Sequence, residues 1–313
     1  MLLEHVGSDT SQMLSITWAK QRGNPVRRQT LFRSMAHLML SLARVPQPQI
    51  GSFRFYDDGT IKLTNRPLTC TLMLLENDGT PRTIPKDMTY SCIEPYIADV
   101  FRFHDQRFLS HPNAVYDEKD CRGELAAKVL LRALAHRYVR QDQRNGPFFL
   151  QFDDLHSSNV FVDEEWNITH LVDLEWVCAL PVERMNVPYW LTGRDIGGLQ
   201  GEYLAEFETV REEFMRIFEE EEPKVAAEHG LSLTQVMHET WKSGSTWFWY
   251  SLTSTNAMYS LFTGHIRPRF ADRLLFREEE LLSKFWSEGA ATVVETKVDE
   301  YHKYEEDLKQ LFC

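Results

Sequence analysis

The sequence lacks any run of about 18 apolar residues, the length a membrane-spanning helix needs, so no membrane partner is expected. It lacks the opening of a signal peptide, because Met1-Leu2-Leu3 meets Glu4 at once. Basic residues are in deficit: 34 Lys and Arg stand against 46 Asp and Glu, a formal net charge of −12. Nucleic-acid binders meet phosphates with basic surfaces, so a nucleic-acid partner is not expected. Cysteine is scarce and odd in number: Cys70, Cys92, Cys121, Cys178 and Cys313 show no metal-site spacing. They read as reduced thiols of a cytoplasmic protein. No internal repeat occurs, and the only low-complexity tract is the glutamate run 219–222. Neither G-x-G-x-x-G nor G-x-x-x-x-G-K-[ST] is present. The glycine-rich stretch 193–201 follows no suitable strand and reads as a loop before a helix. What remains is ample for a core: 313 residues, 43% of them hydrophobic, enough for one large domain or two small ones.

The stretch 151–176, Q-F-D-D-L-H-S-S-N-V-F-V-D-E-E-W-N-I-T-H-L-V-D-L-E-W, organises the rest. The apolar run 148–150 reads as a short buried strand leading into it. Asp154 follows, with Asn159 five positions on. Residues 160–162 read as a second strand, 163–167 as a polar turn, 168–172 as a third strand, and Asp173 stands at its end. Three oxygen-bearing side chains thus fall at the ends of short strands. Phosphoryl transfer needs this kind of set, because a transferring phosphoryl group carries spread negative charge and its hydroxyl acceptor must be oriented. Magnesium prefers oxygen ligands and usually takes only one or two protein carboxylates.

Plainer readings stand beside this one. Asp-x-x-x-x-Asn alone is a common spacing. Asp153 and Asp163 have ordinary uses in turns, and His156 reads as a hydrogen-bonded loop residue rather than a metal ligand. A metal-hydrolase cluster of Asp153, Asp154, His156 and Asp173 is a further alternative, because Asp-Asp-x-His is compatible with a divalent metal.

D-L-H-x-x-N followed by V-D-L-E-W resembles the aminoglycoside phosphotransferase family, within the protein-kinase-like fold. The flanks G-P-F-F (146–149), N-V-F-V-D (159–163) and P-Y-W-L-T-G (188–193) resemble its large fungal branch. The resemblance covers residues 1 to about 195 and is specific in the middle of the chain. It implies Asp154 as the catalytic aspartate, Asn159 and Asp173 as the metal ligands that hold Mg2+ on ATP, and a small-molecule hydroxyl as acceptor. One departure is Phe152-Asp153 where many relatives have His-Gly before the catalytic Asp. The assignment to Asp154 over Asp153 therefore rests on the spacing to Asn159. Asp195 is a candidate for bracing the catalytic loop, with an ordinary loop role as the alternative.

By the same resemblance, residues 1–6 correspond to the hinge between two lobes, where the backbone of Glu4 and Val6 would meet the adenine. The expected fold is α+β, mainly α-helical: a protein-kinase-like C-terminal (large) lobe with short catalytic β-hairpins, the N-lobe largely absent. Residues 1–12 are then a hinge remnant and 13–313 the large lobe, with a catalytic core at about 88–200 and a helical extension at 201–313. The lysine and phosphate-covering loop of the small lobe have no counterpart, and Lys20 lies past the hinge.

Periodicity fills in the rest. A helix is expected over 28–44 on Leu31, Phe32, Met35, Leu38, Met39 and Leu42, stopped by Pro46 and Pro48. Phe53 and Phe55, a turn at 57–59, and Ile61 and Leu63 predict a β-hairpin. Residues 77–86 read as a loop. Ser91-x-x-Glu94 reads as a capping box that opens a helix through Ile97, Val100 and Phe101. Further helices are expected at about 119–139 and 202–219 and around 246–250. The aromatics of 246–250 read as core, and Glu208, Glu212, Glu213 and the run 219–222 as a solvated face, with a site for a cationic substrate as the alternative. The last segment, on Val294, Val298, Tyr301, Leu308 and Leu311, reads as an amphipathic helix packing on the domain.

Two functions compete. One is an ATP- and magnesium-dependent phosphotransferase. The other is a catalytically inactive, pseudokinase-like binding protein or an N-terminally truncated product, in which a dimer or a partner covers the exposed N-lobe face.

Overall fold

In the computed structural model, which describes residues 10–225 and 229–312, helices dominate and the strands form three very small sheets. The 1–6 segment, with Glu4 and Val6, lies outside the described residues. Two compact units interleave along the chain. The first takes the chain up to Cys70, then Asp87–Ser91 and Asn145–Trp241. The second takes Thr71–Lys86, Cys92–Arg144 and the chain from Lys242 onward.

In the first unit, Asn24 starts the long helix Pro25–Ala43. Its side-chain oxygen accepts from the N–H groups of Val26 and Arg27 at 3.0 and 3.3 Å. Pro25 sits in the first turn, where its missing N–H costs nothing. The helix buries Leu31, Phe32, Met35, Ala36 and Leu40. It packs on the helix Glu202–Glu221, with Phe32 edge-on to Phe214 at 5.5 Å. The expected solvated glutamate face holds for Glu208, Glu212, Glu219 and Glu220, which are exposed, and is corrected for three other acids, which have partners. Glu213 pairs with Arg28 at 2.7 Å. Glu221 is 1% exposed and meets Arg33, His37 and Lys224, each at 2.9 Å. Glu222 accepts from the N–H groups of Leu233 and Thr234, capping the helix Leu233–Ser243. A buried carboxylate is retained only where it is paired in this way.

The expected hairpin forms from Ser52–Phe55 and Ile61–Asn65, with Phe55 opposite Ile61. The strand Phe149–Phe152 pairs antiparallel with Val177–Leu180, a strand the sequence reading did not foresee. Val160–Val162 pairs antiparallel with Ile168–Leu171 on one side and with Gln12–Met13 on the other. Asp163 builds the turn between 162 and 168. Its carboxylate accepts from the N–H groups of Glu165 and Asn167 and from the Asn167 side chain, at 3.0, 2.8 and 2.8 Å.

The second unit is helical. The helix Ile93–Ser110 begins at Cys92, with no side-chain cap, so the expected Ser91/Glu94 capping box does not form. Glu94 instead accepts from the Cys92 thiol at 2.8 Å and pairs with Arg144 at 2.7 Å. The helix Glu118–Leu134 is capped by Asp117, whose side chain accepts from Asp120 N–H at 2.8 Å. Trp247, Phe248 and Trp249 of the helix Ser245–Thr253 are buried, with Phe248 stacked on Tyr138 at 4.8 Å, so this aromatic run is core. A second cluster joins Phe108, Val115, Cys121, Leu125 and Val294. The long last helix, Ala290–Phe312, buries Ala290, Val294 and Lys297, all in its first turns. The expected amphipathic helix is present, and its buried positions lie in its first turns.

Among the described residues, no helix is long and apolar enough to cross a membrane. Cys70, Cys92, Cys121 and Cys178 are free thiols.

Candidate functional site

Two links join two small sheets of the first unit. The chain leaves Phe149–Phe152 and enters Val160–Val162, then leaves Ile168–Leu171 and returns into Val177–Leu180. The outgoing strands pair with the returning ones, so the linking segments 153–159 and 172–176 run side by side. Backbone hydrogen bonds close both ends: Asp153 N–H donates to Trp176 O and Val172 N–H to Asn159 O, each at 3.1 Å. Asp154 and Asn159 lie on the first segment and Asp173 on the second. Strand pairing, a local property of apolar runs, is therefore what gathers residues spread over 20 positions.

The neighbouring acids Asp153 and Asp154 divide their roles. Asp153 is inward-facing and fully engaged. One oxygen accepts from Arg184 Nη2 at 2.6 Å, and the other from Cys70 N–H at 2.8 Å. The side chains of Asp153 and Arg184 are 4% and 11% exposed. Asp154 is the open acid, its side chain 34% exposed. Burial pushes its carboxyl above the usual range. The His156 charge and a hydrogen bond from the Cys70 thiol oppose this, and the Asp153 and Asp173 charges add to it. Asp154 is thus a carboxylate that gains from taking up a proton or meeting a cation.

Asn159 is 4% exposed, and its side-chain N–H donates to the backbone carbonyl of Asp154 at 2.9 Å. That bond fixes the amide and leaves Oδ1 as its acceptor. Asp173 has φ 56° and ψ 54°, the left-handed region, which residues other than glycine seldom adopt and aspartate more readily than most. His156 accepts the Ser158 N–H on Nδ1 at 3.2 Å, which leaves Nε2 clear of that bond. That nitrogen lies 4.0 Å from the Asp154 carboxylate. His156 is therefore held as a loop residue by its backbone neighbour.

Cys70, first residue of the helix Cys70–Asn77, was not foreseen, nor was Arg184. The Cys70 thiol is pushed up to about 12 by burial and then by the Asp154 and Asp153 charges, which keeps it a proton donor to Asp154. The Tyr189 phenol is raised by burial and by Asp153, Asp154, Asp195 and Cys70. The loop is braced by Arg184 through Asp153; the Asp195 charge acts on the Tyr189 phenol, and among the described residues no side-chain hydrogen bond or ion pair joins Asp195 to the loop. No sequence signal marks Cys70 or Arg184, because each reaches Asp153 across a gap of tens of residues.

Among the described residues, no group of three or more His, Cys, Asp or Glu is placed to hold a metal ion. The cluster of Asp153, Asp154, His156 and Asp173 considered for a metal hydrolase does not form, because Arg184 and Cys70 occupy Asp153. Asp173 and Asn159 offer one carboxylate and one amide oxygen. This is a hard-oxygen set that suits magnesium where phosphate oxygens and water complete the shell. Comparison with known proteins gives no match to a family model, to a curated protein or to a solved structure.

Proposed function

We propose that this chain is an aminoglycoside phosphotransferase-like protein of kinase-like fold, which transfers a phosphoryl group from ATP to a small-molecule hydroxyl. The observation that carries the reading is the pair of adjacent links with Asp154, Asn159 and Asp173 on them, closed at both ends by backbone hydrogen bonds. The resemblance of D-L-H-x-x-N and V-D-L-E-W to that family supports it.

In this reading Asp154 orients the acceptor hydroxyl and takes its proton. Its raised carboxyl and open side chain suit a general base. Asn159 keeps the Asp154 backbone in place, and it and Asp173 are the residues that would hold magnesium. Magnesium supplies positive charge to the phosphate oxygens when bound with ATP. Asp153 and Arg184 serve as the frame of the loop. The substrate hydroxyl must displace the Cys70 thiol from Asp154.

A second reading, a nucleotide- or partner-binding protein without useful catalysis, is favoured by one observation: no glycine-rich phosphate loop exists in the sequence. Most catalysis in this reaction class is electrostatic positioning, and the loop and its lysine supply much of it.

The test is the thermal midpoint of the purified protein against ATP, with and without magnesium. A magnesium-dependent rise that disappears in Asp173→Ala supports nucleotide binding at this site. Transfer to hydroxyl compounds, abolished in Asp154→Asn, then separates the phosphotransferase from the binding protein. No midpoint shift up to millimolar ATP overturns both nucleotide readings.

A further inference from the structure

The last helix carries a hydrophobic seam longer than the surface it covers. Val294, Lys297, Tyr301, Tyr304, Leu308 and Leu311 alternate at spacings of three and four, the a and d positions of a heptad. The first two are spent inside the second unit: Val294 is 2% and Lys297 1% exposed. Tyr301 meets one further ring, Tyr116, edge-on at 5.8 Å, and Tyr116 is itself 69% exposed. Beyond it the seam runs out. Leu311 and Phe312 are 75% and 85% exposed, and Tyr304 and Leu308 are half-buried. Among the described residues, no side-chain hydrogen bond, ion pair or ring contact joins 304–312 to another element. Among the described residues, the apolar stripe is thus part-covered at Tyr304 and Leu308 and open to solvent at Leu311 and Phe312.

The flanks decide what can cover it. On this register the positions beside the seam are Glu300 and Asp307 on one side and Val298, Glu305 and Phe312 on the other. Lys303 and Lys309 lie away from the seam. In a parallel pair of identical helices, Glu300 of one copy would face Glu305 of the other. In an antiparallel pair, Glu305 would face Glu305 and Asp307 would face Asp307. Like charges at these positions oppose pairing, and opposite charges select the partner. The net charge of −12 acts against a second copy in the same direction.

We propose that the outer turns of this helix, from Tyr301 to Phe312, are a docking seam for a basic amphipathic helix of another protein. The partner presents apolar residues at its own a and d positions and Lys or Arg beside them. It packs its knobs around Tyr304, Leu308 and Leu311 and pairs its cations with Glu305 and Asp307, since Glu300 is already held by Lys297. The inference is independent of the phosphotransferase reading.

The test uses the full chain and two designed peptides, each with Leu at every a and d position, one with Lys and the other with Glu at every e and g position. Fluorescence anisotropy should show the Lys peptide binding at least about tenfold more tightly, a difference of about 1.4 kcal/mol. The advantage should shrink with added salt. Leu308→Ser with Leu311→Ser leaves the charge unchanged and should abolish binding, which separates the seam from general attraction to an acidic protein. Glu305→Lys with Asp307→Lys should transfer the preference to the Glu peptide. Equal binding of the two peptides, no binding of either, or persistence of binding in the double serine variant overturns the proposal. So does a full-chain dimer in sedimentation that the same double variant dissociates.

Discussion

Asn159 donates its side-chain N–H to the backbone carbonyl of Asp154 at 2.9 Å, so the proposed metal ligand is also the clamp on the proposed base. Asn159 is 4% exposed, and its replacement by alanine leaves a carbonyl without this donor. Losing a buried hydrogen-bond partner costs about 1–3 kcal/mol. Asn159→Ala should therefore lower urea-unfolding stability by that amount and also remove the magnesium-dependent response to ATP. A variant that loses the response and keeps full stability would separate the two roles and contradict the clamp.

Asp173 gives the opposite pattern. Its side chain is exposed and its backbone sits in the left-handed region. A left-handed conformation costs an ordinary residue about 1 kcal/mol, and glycine adopts it freely. Asp173→Gly should hold or raise stability by up to that amount while abolishing the ATP response. A gain in stability with loss of ligand response is what a residue kept for function shows. A clear loss of stability would place Asp173 in the structural frame instead.

The Asp153–Arg184 pair is the frame itself. With Arg184 gone, a carboxylate 4% exposed keeps only its bond from Cys70 N–H. Breaking a buried pair by removing one partner costs about 3–5 kcal/mol. Arg184→Met should destabilise by that order in equilibrium unfolding. Arg184→Met combined with Asp153→Asn, which removes the stranded charge, should recover part of the loss. Equal loss in the single and double variants would show that packing, not charge, makes the pair important.

Lys297 belongs to the same class in the second unit. It is 1% exposed, and its ammonium donates to the carbonyl of His111 at 2.5 Å and to Glu300 at 2.6 Å, closing the end of the helix Ile93–Ser110. Helix C-termini leave carbonyls that need donors. Lys297→Met fills the volume without supplying a donor and should cost about 1–3 kcal/mol. Amide exchange should rise first around 107–111. Unchanged protection there would mean that water replaces the ammonium.

What could be read in the sequence follows from how local each feature is. The placement of Asp154, Asn159 and Asp173 on neighbouring links was legible because they sit at the ends of apolar runs whose pairing is short-range. The hairpin around Asp58 was legible for the same reason, and the helix Pro25–Ala43 because its apolar positions repeat, although its start at Asn24-Pro25 was read three residues late. The partners of Asp153 were not legible, because Cys70 and Arg184 arrive from elsewhere in the chain and belong to no motif. Glu213 and Glu221 read as solvated because nothing local shows that Arg28, Arg33 and His37 come to meet them. The Ser91/Glu94 signal failed through competition: Cys92 and Arg144 take Glu94 before it can turn back on its own helix. Periodicity gave the last helix its apolar face but not its partner, because a seam reads the same whether the chain or another molecule covers it.

His104 sets a pH dependence. It is fully enclosed, and its Nε2–H donates to the Leu252 carbonyl at 2.7 Å. Burial pulls its pKa down from 6.5 to about 3, with the charges of Lys128, Arg107 and Arg132 acting in the same direction and the Leu252 bond opposing. The folded chain therefore keeps His104 neutral while the unfolded chain takes up a proton below pH 6.5. Where the unfolded state binds more protons, stability rises with pH. Acidification from 6.5 toward about 3 should thus remove stability step by step through this one group. His104→Gln keeps a donor for Leu252 and cannot titrate. It should flatten the decline across that window in urea-unfolding series while costing some packing at neutral pH. An unaltered slope in His104→Gln would assign the acid sensitivity to other groups.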